Sequence, residues 1–222
     1  MPVKPRSYNA TRRRERALQT RAAILEAARA RFLTDGYGPT TIASIATDAD
    51  ASPDTIYKTF GGKAGLLRAI CELALAGEGP LPAEQRSDVM QAAEPDPRRL
   101  LRGLGVLTTE VAPRIAPLLF LLSTAAENDN TLIDLKNDLE AARLARMTHV
   151  ARGLASKTRY RDDRSIDEAA DIMWAYSSPE LYRLLVIGRG WTPEEYGQFV
   201  GESLIDALLE RGPNDAGGGV TR

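Results

Sequence analysis

One cysteine and one histidine are all that 222 residues offer for thiol or imidazole chemistry. The lone Cys71 excludes an internal disulfide and fits a reducing compartment. His149 lies far from it, and no G-x-S-x-G, H-E-x-x-H or paired cysteine occurs, so the common nucleophilic and zinc sites have nothing to build on. Neither a metal nor a cofactor is expected. Long apolar runs are also scarce. The longest, residues 118–122, is too short to cross a bilayer, and no apolar stretch follows the basic amino terminus as a signal peptide requires. The expectation is a cytoplasmic protein with no membrane partner. Alternating Val-Ile-Thr stretches are missing, while Ala and the aliphatic residues recur at helical spacing. The fold class is all-α.

What is present is unevenly spread. The net charge of −1 hides a basic head: in residues 1–21, Lys4, Arg6, Arg12, Arg13, Arg14, Arg16 and Arg21 face Glu15 alone, a net of +6 that leaves −7 for the rest. Such a head on an acidic body suggests a polyanion partner at one end. Pro2, Pro5, Ser7 and Asn9 lead into the arginines without an apolar face. Residues 1–18 therefore read as a flexible basic arm, either a solubilising tail or a segment that tracks phosphates.

The stretch from 40 to 63 is the most informative. Thr40 or Thr41 can cap a first helix on which Ile42, Ile45 and Ala46 share a face. A short turn at Ala49-Asp50-Ala51 leads to Ser52 as N-cap, Pro53 at the first helical position and Asp54 at the positive end of the helix dipole. Ile56 and Phe60 bury this second helix. Pro53, Asp54, Thr55, Lys58 and Thr59 face outward, with the Tyr57 ring packed and its hydroxyl exposed. Two short helices at residues 41–60, the second showing small polar groups and a cation, make a helix-turn-helix. Lys63 opens the next helix against its dipole, which suggests an anion such as a DNA phosphate. The Gly62-Lys63 pair is no phosphate loop, because Tyr57 stands where that motif needs its first glycine and Ala64 where it needs Ser or Thr.

These residues resemble the DNA-binding domain of TetR-family transcriptional regulators. The likeness is carried by Ile24, Ala28 and Phe32, by Gly36-Tyr37, by Thr40-Thr41 and Ile45-Ala46, by residues 52–60 with Ile56-Tyr57-x-x-Phe60, and by Lys63-Ala-Gly-Leu66. Asp50 departs from the glycine common in the turn, but Asp tolerates the left-handed conformation better than most residues. The resemblance implies double-stranded operator DNA as partner. Thr41, Ser52, Tyr57 and Lys63 then serve as phosphate contacts, while Pro53, Asp54, Thr55, Lys58 and Thr59 meet base edges or phosphates. Asp54 has a second reading, as satisfying only the helix start.

Residues 19–78 thus form the expected amino-terminal domain, with a first helix over 20–34 stopped by Gly36-Tyr37-Gly38-Pro39. Residues 77–97, rich in Gly, Pro, Glu and Asp, read as a break. A larger helical domain follows over 79–212, and 213–222 reads as a disordered tail. Leu100, Leu101, Leu104, Leu107 and Val111 mark one of its helices. Pro113 and Pro117 set off residues 115–126 as another, and 131–156 is the longest helical pattern. Capping boxes at Ser165–Glu168 and Thr192–Glu195 open the last two.

By resemblance this domain binds an unknown small-molecule effector and pairs two copies into a homodimer. Candidate pocket residues are Leu107, Leu118, Leu121, Met147, Met173, Trp174 and Tyr176, with Arg143 and His149 as polar contacts. Candidate dimer residues are Leu181, Leu184, Leu185, Phe199, Val200, Leu204 and Leu208. Gly197 and Gly201, four apart, permit close helix approach. The expected function is a sequence-specific DNA-binding transcriptional regulator, a repressor released from a palindromic operator by its effector. The alternatives are an architectural DNA binder without effector and an all-α enzyme using carboxylates and arginine.

Overall fold

A computed structural model describes residues 6–210, which fold into ten α-helices with no strand among the described residues. They are α1 (Arg6–Asp35), α2 (Ile42–Asp48), α3 (Pro53–Phe60), α4 (Lys63–Ala76), α5 (Ala83–Ala93), α6 (Pro97–Ala126), α7 (Thr131–Ala155), α8 (Ile166–Tyr176), α9 (Pro179–Tyr182) and α10 (Pro193–Leu208). A π-helical turn, Arg183–Ile187, follows α9. Residues 1–5 of the expected arm and the expected tail at 213–222 lie outside the described residues.

Two compact units emerge. The first holds the chain up to residue 73 together with 120–135; the second holds 74–119 and the chain from 136 onward. The boundary expected at 78 falls close to the first crossing, but the return of 120–135 to the first unit was not legible in the sequence. In the first unit Ile24, Ala28 and Phe32 of α1, Ile45 and Ala46 of α2, Ile56 of α3, and Leu66, Leu67 and Ile70 of α4 are all buried. Cys71 is buried with them, and burial pushes its thiol up to about 12, so it is a packing residue and not a reactive one.

The second unit centres on Leu100 and Leu101 of α6, Val150, Ala151 and Leu154 of α7, Met173 of α8, and Tyr196, Val200, Leu204 and Leu208 of α10. Helices α6 and α10 approach closely because both carry glycine where they touch. A Cβ on Gly197 would lie 2.5 Å from the Gly105 carbonyl oxygen, and one on Gly201 would lie 3.2 Å from the Arg102 Cα. The glycine spacing on α10 therefore serves an internal contact.

Three elements differ from the sequence expectations. The arginine-rich segment from Arg6 is the start of α1 and not a flexible arm, since Arg, Glu, Ala, Leu and Gln are good helix formers and no glycine or proline interrupts them. Helix α5 lies inside the expected break; its buried positions are Ala83, Ser87 and Gln91, so it has no apolar stripe to announce it. Helix α6 runs unbroken for 30 residues through Pro113 and Pro117. By length and composition it could cross a membrane. Its Leu100, Leu101, Leu118 and Leu122 are instead buried in the fold, and its Glu110 is paired with Arg86 at 2.7 Å.

Gly105→Ala should lower the melting temperature, costing about 1–3 kcal/mol by overpacking. Val106→Ala on the same helix, at a side chain 69% exposed, should be nearly neutral. Thermal unfolding followed by circular dichroism compares the two, and equal effects would show that α6 and α10 are not tightly apposed.

Candidate nucleic-acid interface

Local chemistry sets each boundary of the helix-turn-helix. Thr41, not Thr40, caps α2: its Oγ1 accepts from Ser44 N at 3.0 Å, and Ser44 Oγ accepts from Thr41 N at 3.2 Å. Thr40 is buried and donates to the Gly36 carbonyl at 2.7 Å. The turn passes through Asp50 at φ 47°, the left-handed conformation that its side chain tolerates. Ser52 Oγ accepts from Thr55 N at 3.1 Å, and Pro53 follows at the first helical position. Helix α3 then ends at Gly61. The next helix starts so close that a Cβ on Gly65 would overlap the Phe60 carbonyl.

On α3 only Ile56 is fully buried, and Pro53, Asp54, Tyr57, Lys58 and Thr59 are exposed. Tyr57 is 56% exposed, so its ring is less packed than expected. Lys58 Nζ lies 2.6 Å from Asp54 Oδ2, an exposed pair one turn apart. The negative Asp54 near the helix start is thus matched by a cation on the same face. Thr55 is half-buried, with its hydroxyl 2.8 Å from Ser52 Oγ. The hydroxyls of Thr41 and Ser52 therefore cap their helices, and that of Thr55 pairs with Ser52.

Lys63 is where the structure departs most from the sequence reading. Its ammonium donates to the carbonyls of Tyr37 at 2.6 Å and Gly38 at 3.2 Å, and stands 4.3 Å from the centre of the Tyr37 ring. The carbonyls of the α1–α2 loop thus give this cation negative partners within the fold. Partial burial lowers its pKa, and Asp129 of the α6–α7 loop opposes that shift. Burial, reinforced by Asp129, raises the Tyr37 phenol to about 12.

Two further contacts carried no sequence signal. Arg31 of α1 grips Asp48 of α2 through Nε at 2.5 Å and Nη2 at 3.0 Å. Its hydrogen bonds hold the Asp48 carboxyl below its ordinary value, so this link is present above the carboxylate range and is lost as pH falls through the depressed pKa. The Arg21 guanidinium lies 4.7 Å from the ring of Phe60, tying α1 to the end of α3. Upstream, residues 11–19 with Arg12, Arg13, Arg14 and Arg16 are exposed along α1.

The expected pocket residues are dispersed. Leu118 and Met173 are core at 0% and 1% exposure, and Leu121 falls in the first unit. Arg143 stacks over Trp174 at 4.2 Å and donates to its carbonyl and to Ser177 Oγ at 3.2 Å. Met147 and Tyr176 are half-buried against the core of the second unit, and Leu107 is half-buried on α6. His149 is exposed, 3.2 Å from Asp88. Of the expected dimer residues, Val200, Leu204 and Leu208 are buried inside the chain at 2%, 4% and 0%. They are therefore corrected to core. Leu181, Leu185 and Phe199 are half-buried, and Leu184 is 58% exposed.

A tightly capped three-helix unit with an outward-facing short helix beside a basic helix has the geometry of a helix-turn-helix. Residues 24–70 match the family described as bacterial regulatory proteins, tetR family. That match covers the amino-terminal helices α1 to α4, so this segment is similar to the family's DNA-binding domain. No curated relative matches it. Among solved structures, NalD, the secondary repressor of the MexAB-OprM multidrug efflux pump in Pseudomonas aeruginosa, is similar at 21% identity. That match covers 88% of this chain and 98% of NalD, with a TM-score of 0.67. The SmeT–triclosan complex matches at 20% identity over 91% of this chain and 99% of SmeT, with a TM-score of 0.67. A protein from Saccharomonospora viridis, described as a transcriptional regulator and solved with choline, matches at 22% identity over 86% of this chain and 98% of its own, with a TM-score of 0.64. At these identities the likeness is one of fold.

Lys63→Met should lower the melting temperature by freeing two carbonyls, yet leave unchanged the dependence of DNA affinity on salt. A slope of log affinity against log salt shallower by about 0.9 would instead mark Lys63 as a phosphate contact.

Proposed function

We propose that the protein binds a palindromic operator as a homodimer, represses transcription there, and is released by a small-molecule effector held in its second unit. The observation that carries this reading is the outward face of α3, where Pro53, Asp54, Tyr57, Lys58 and Thr59 are exposed while Ile56 anchors the helix. A helix of eight residues reads only a few base pairs, so useful specificity needs two copies on two half-sites. In this reading Tyr57, Lys58 and the exposed arginines of α1 supply phosphate contacts, and Thr59 and Asp54 lie nearest the base edges.

The apolar side chains left exposed near the π-helical turn support pairing. Leu184 and Ile187 are 58% and 61% exposed, close in sequence to half-buried Leu181 and Leu185. Isolated exposed leucines need no explanation, but a run of them on one segment marks an interaction surface. The effector reading draws on relatives of the same fold solved with triclosan and with choline. Those two molecules share little chemistry, so the scaffold does not dictate the ligand. Release requires only that the effector favour the conformation that cannot bind DNA, each tenfold of preference corresponding to about 1.4 kcal/mol.

Selection of bound fragments from genomic DNA at near-physiological salt tests the reading. Recovery of a shared palindrome is expected, whereas fragments without a common motif would favour an architectural DNA binder. The double variant Leu184→Glu with Ile187→Glu should sediment as a folded monomer and lose operator affinity by about 10²–10⁴-fold, the gain that linkage of two modest sites provides. A variant that stays dimeric would place the pairing surface elsewhere.

A further inference from the structure

Helix α5 buries an unusual face. Its inward residues Ala83, Ser87 and Gln91 are 7%, 5% and 7% exposed, and two of the three are polar. Among the described residues, neither Ser87 Oγ nor Gln91 Nε2 has a hydrogen-bond partner. Buried polar groups are normally paired, and an unpaired one costs more than a pair contributes. The two residues are one turn apart, which places them about 5–6 Å from each other on the same face.

Contacts at the rim explain why α5 stays in place despite this. Arg146 of α7 reaches Asp88 at 2.7 Å, and Arg86 reaches Glu110 of α6 at 2.7 Å. The Oε1 of Gln91 lies against Gly153 of α7, and the sulfur of Met90 lies against Gly103 of α6, each filling the place of an absent Cβ. The helix is seated by ion pairs and by side chains laid on glycine, around two unmet hydrogen-bonding groups.

We propose that Ser87 and Gln91 are the polar anchor of the effector site, and that the effector is an uncharged, largely apolar molecule presenting one or two oxygen acceptors to them. This rests on the effector-released reading and adds the ligand's chemical class. Gln91 Nε2 is only a donor, so the atom it meets must be an acceptor; the Ser87 hydroxyl can donate to a second oxygen or accept from a hydroxyl. A charged ligand is disfavoured here. The charged side chains of α5 are already matched, Glu84 and Asp88 with Arg146 at 3.8 and 2.7 Å and Arg86 with Glu110. A buried carboxylate or ammonium would therefore meet no uncommitted opposite charge on this helix. Met90, flexible and polarisable, gives α5 an apolar surface that adapts to shape.

The full-length protein and its Ser87→Ala and Gln91→Met variants test the site. Because the unmet groups burden the free protein, each variant should melt about 2–4 °C higher. The probes are 2-acetonaphthone, which carries one carbonyl acceptor, 2-ethylnaphthalene, of similar shape without it, and the anion 2-naphthoate. Binding is read by thermal shift and by release of the recovered operator fragment. 2-Acetonaphthone should bind most tightly, and Gln91→Met should weaken it about tenfold while leaving 2-ethylnaphthalene unchanged. Lower melting temperatures in the variants would show that water already satisfies these atoms and would overturn the proposal. So would binding of 2-acetonaphthone no tighter than that of either other probe, including no binding at all. Release of DNA by 2-naphthoate alone would sink the α5 site but keep the effector reading. Failure to recover any operator would sink that reading, while the melting and binding comparisons would still decide on α5.

Discussion

A short helix that leaves most of its side chains exposed cannot hold itself in place, so other elements have to hold it. Helix α3 commits one fully buried side chain, Ile56, to the core. Eight residues cannot sustain a helix alone in water. Its order comes from the Ser52 cap, from Arg21 over Phe60, and from the tight start of α4 that Gly65 permits. Helix α1 is the spine behind all of these: Ile24, Ala28 and Phe32 bury the inner face, and Arg31 ties down α2. Lys63 closes the loop between α1 and α2 by its carbonyl contacts. The outward face of α3 is therefore free because its neighbours, and not α3 itself, bear the burial.

The legibility of this protein follows the range of the interactions involved. Caps and turns are local, so Ser52, Ser165 and Thr192 could be read from a few adjacent residues, and each makes the hydrogen bond its position predicts, while Thr41 was one of two adjacent candidates. Asp50 in the left-handed turn was likewise readable. Roles set by distant partners were not. The contacts of Lys63 with the carbonyls of Tyr37 and Gly38, far back in the chain, left no mark near Lys63 in the sequence. An amphipathic stripe looks the same whether it covers its own core or a second chain, which is why Val200, Leu204 and Leu208 were misassigned. Helix α5 escaped notice because its buried face is Ala, Ser and Gln.

The second unit treats polar atoms unequally. The phenol of Tyr160 donates to the Ala151 carbonyl at 2.6 Å, and that of Tyr196 to the Tyr176 carbonyl at 3.2 Å. Burial raises the pKa of both phenols, so they remain neutral donors across the physiological range. Around α7, α8 and α10 these phenols are satisfied, whereas the buried Trp174 indole N–H of α8 has no partner among the described residues. Along α5 two such groups, Ser87 Oγ and Gln91 Nε2, stand one turn apart on a single helix face.

The two prolines of α6 have a mechanical consequence. Pro113 brings no N–H to the carbonyl of Thr109, and Pro117 brings none to that of Pro113. Being four apart, the missing bonds stack on one side of the helix, so its stiffness differs with direction. It resists bending across that side less than bending at right angles to it. A rod of this kind behaves as a leaf spring, with one soft plane fixed by sequence and running through the middle of the longest apolar helix in the molecule.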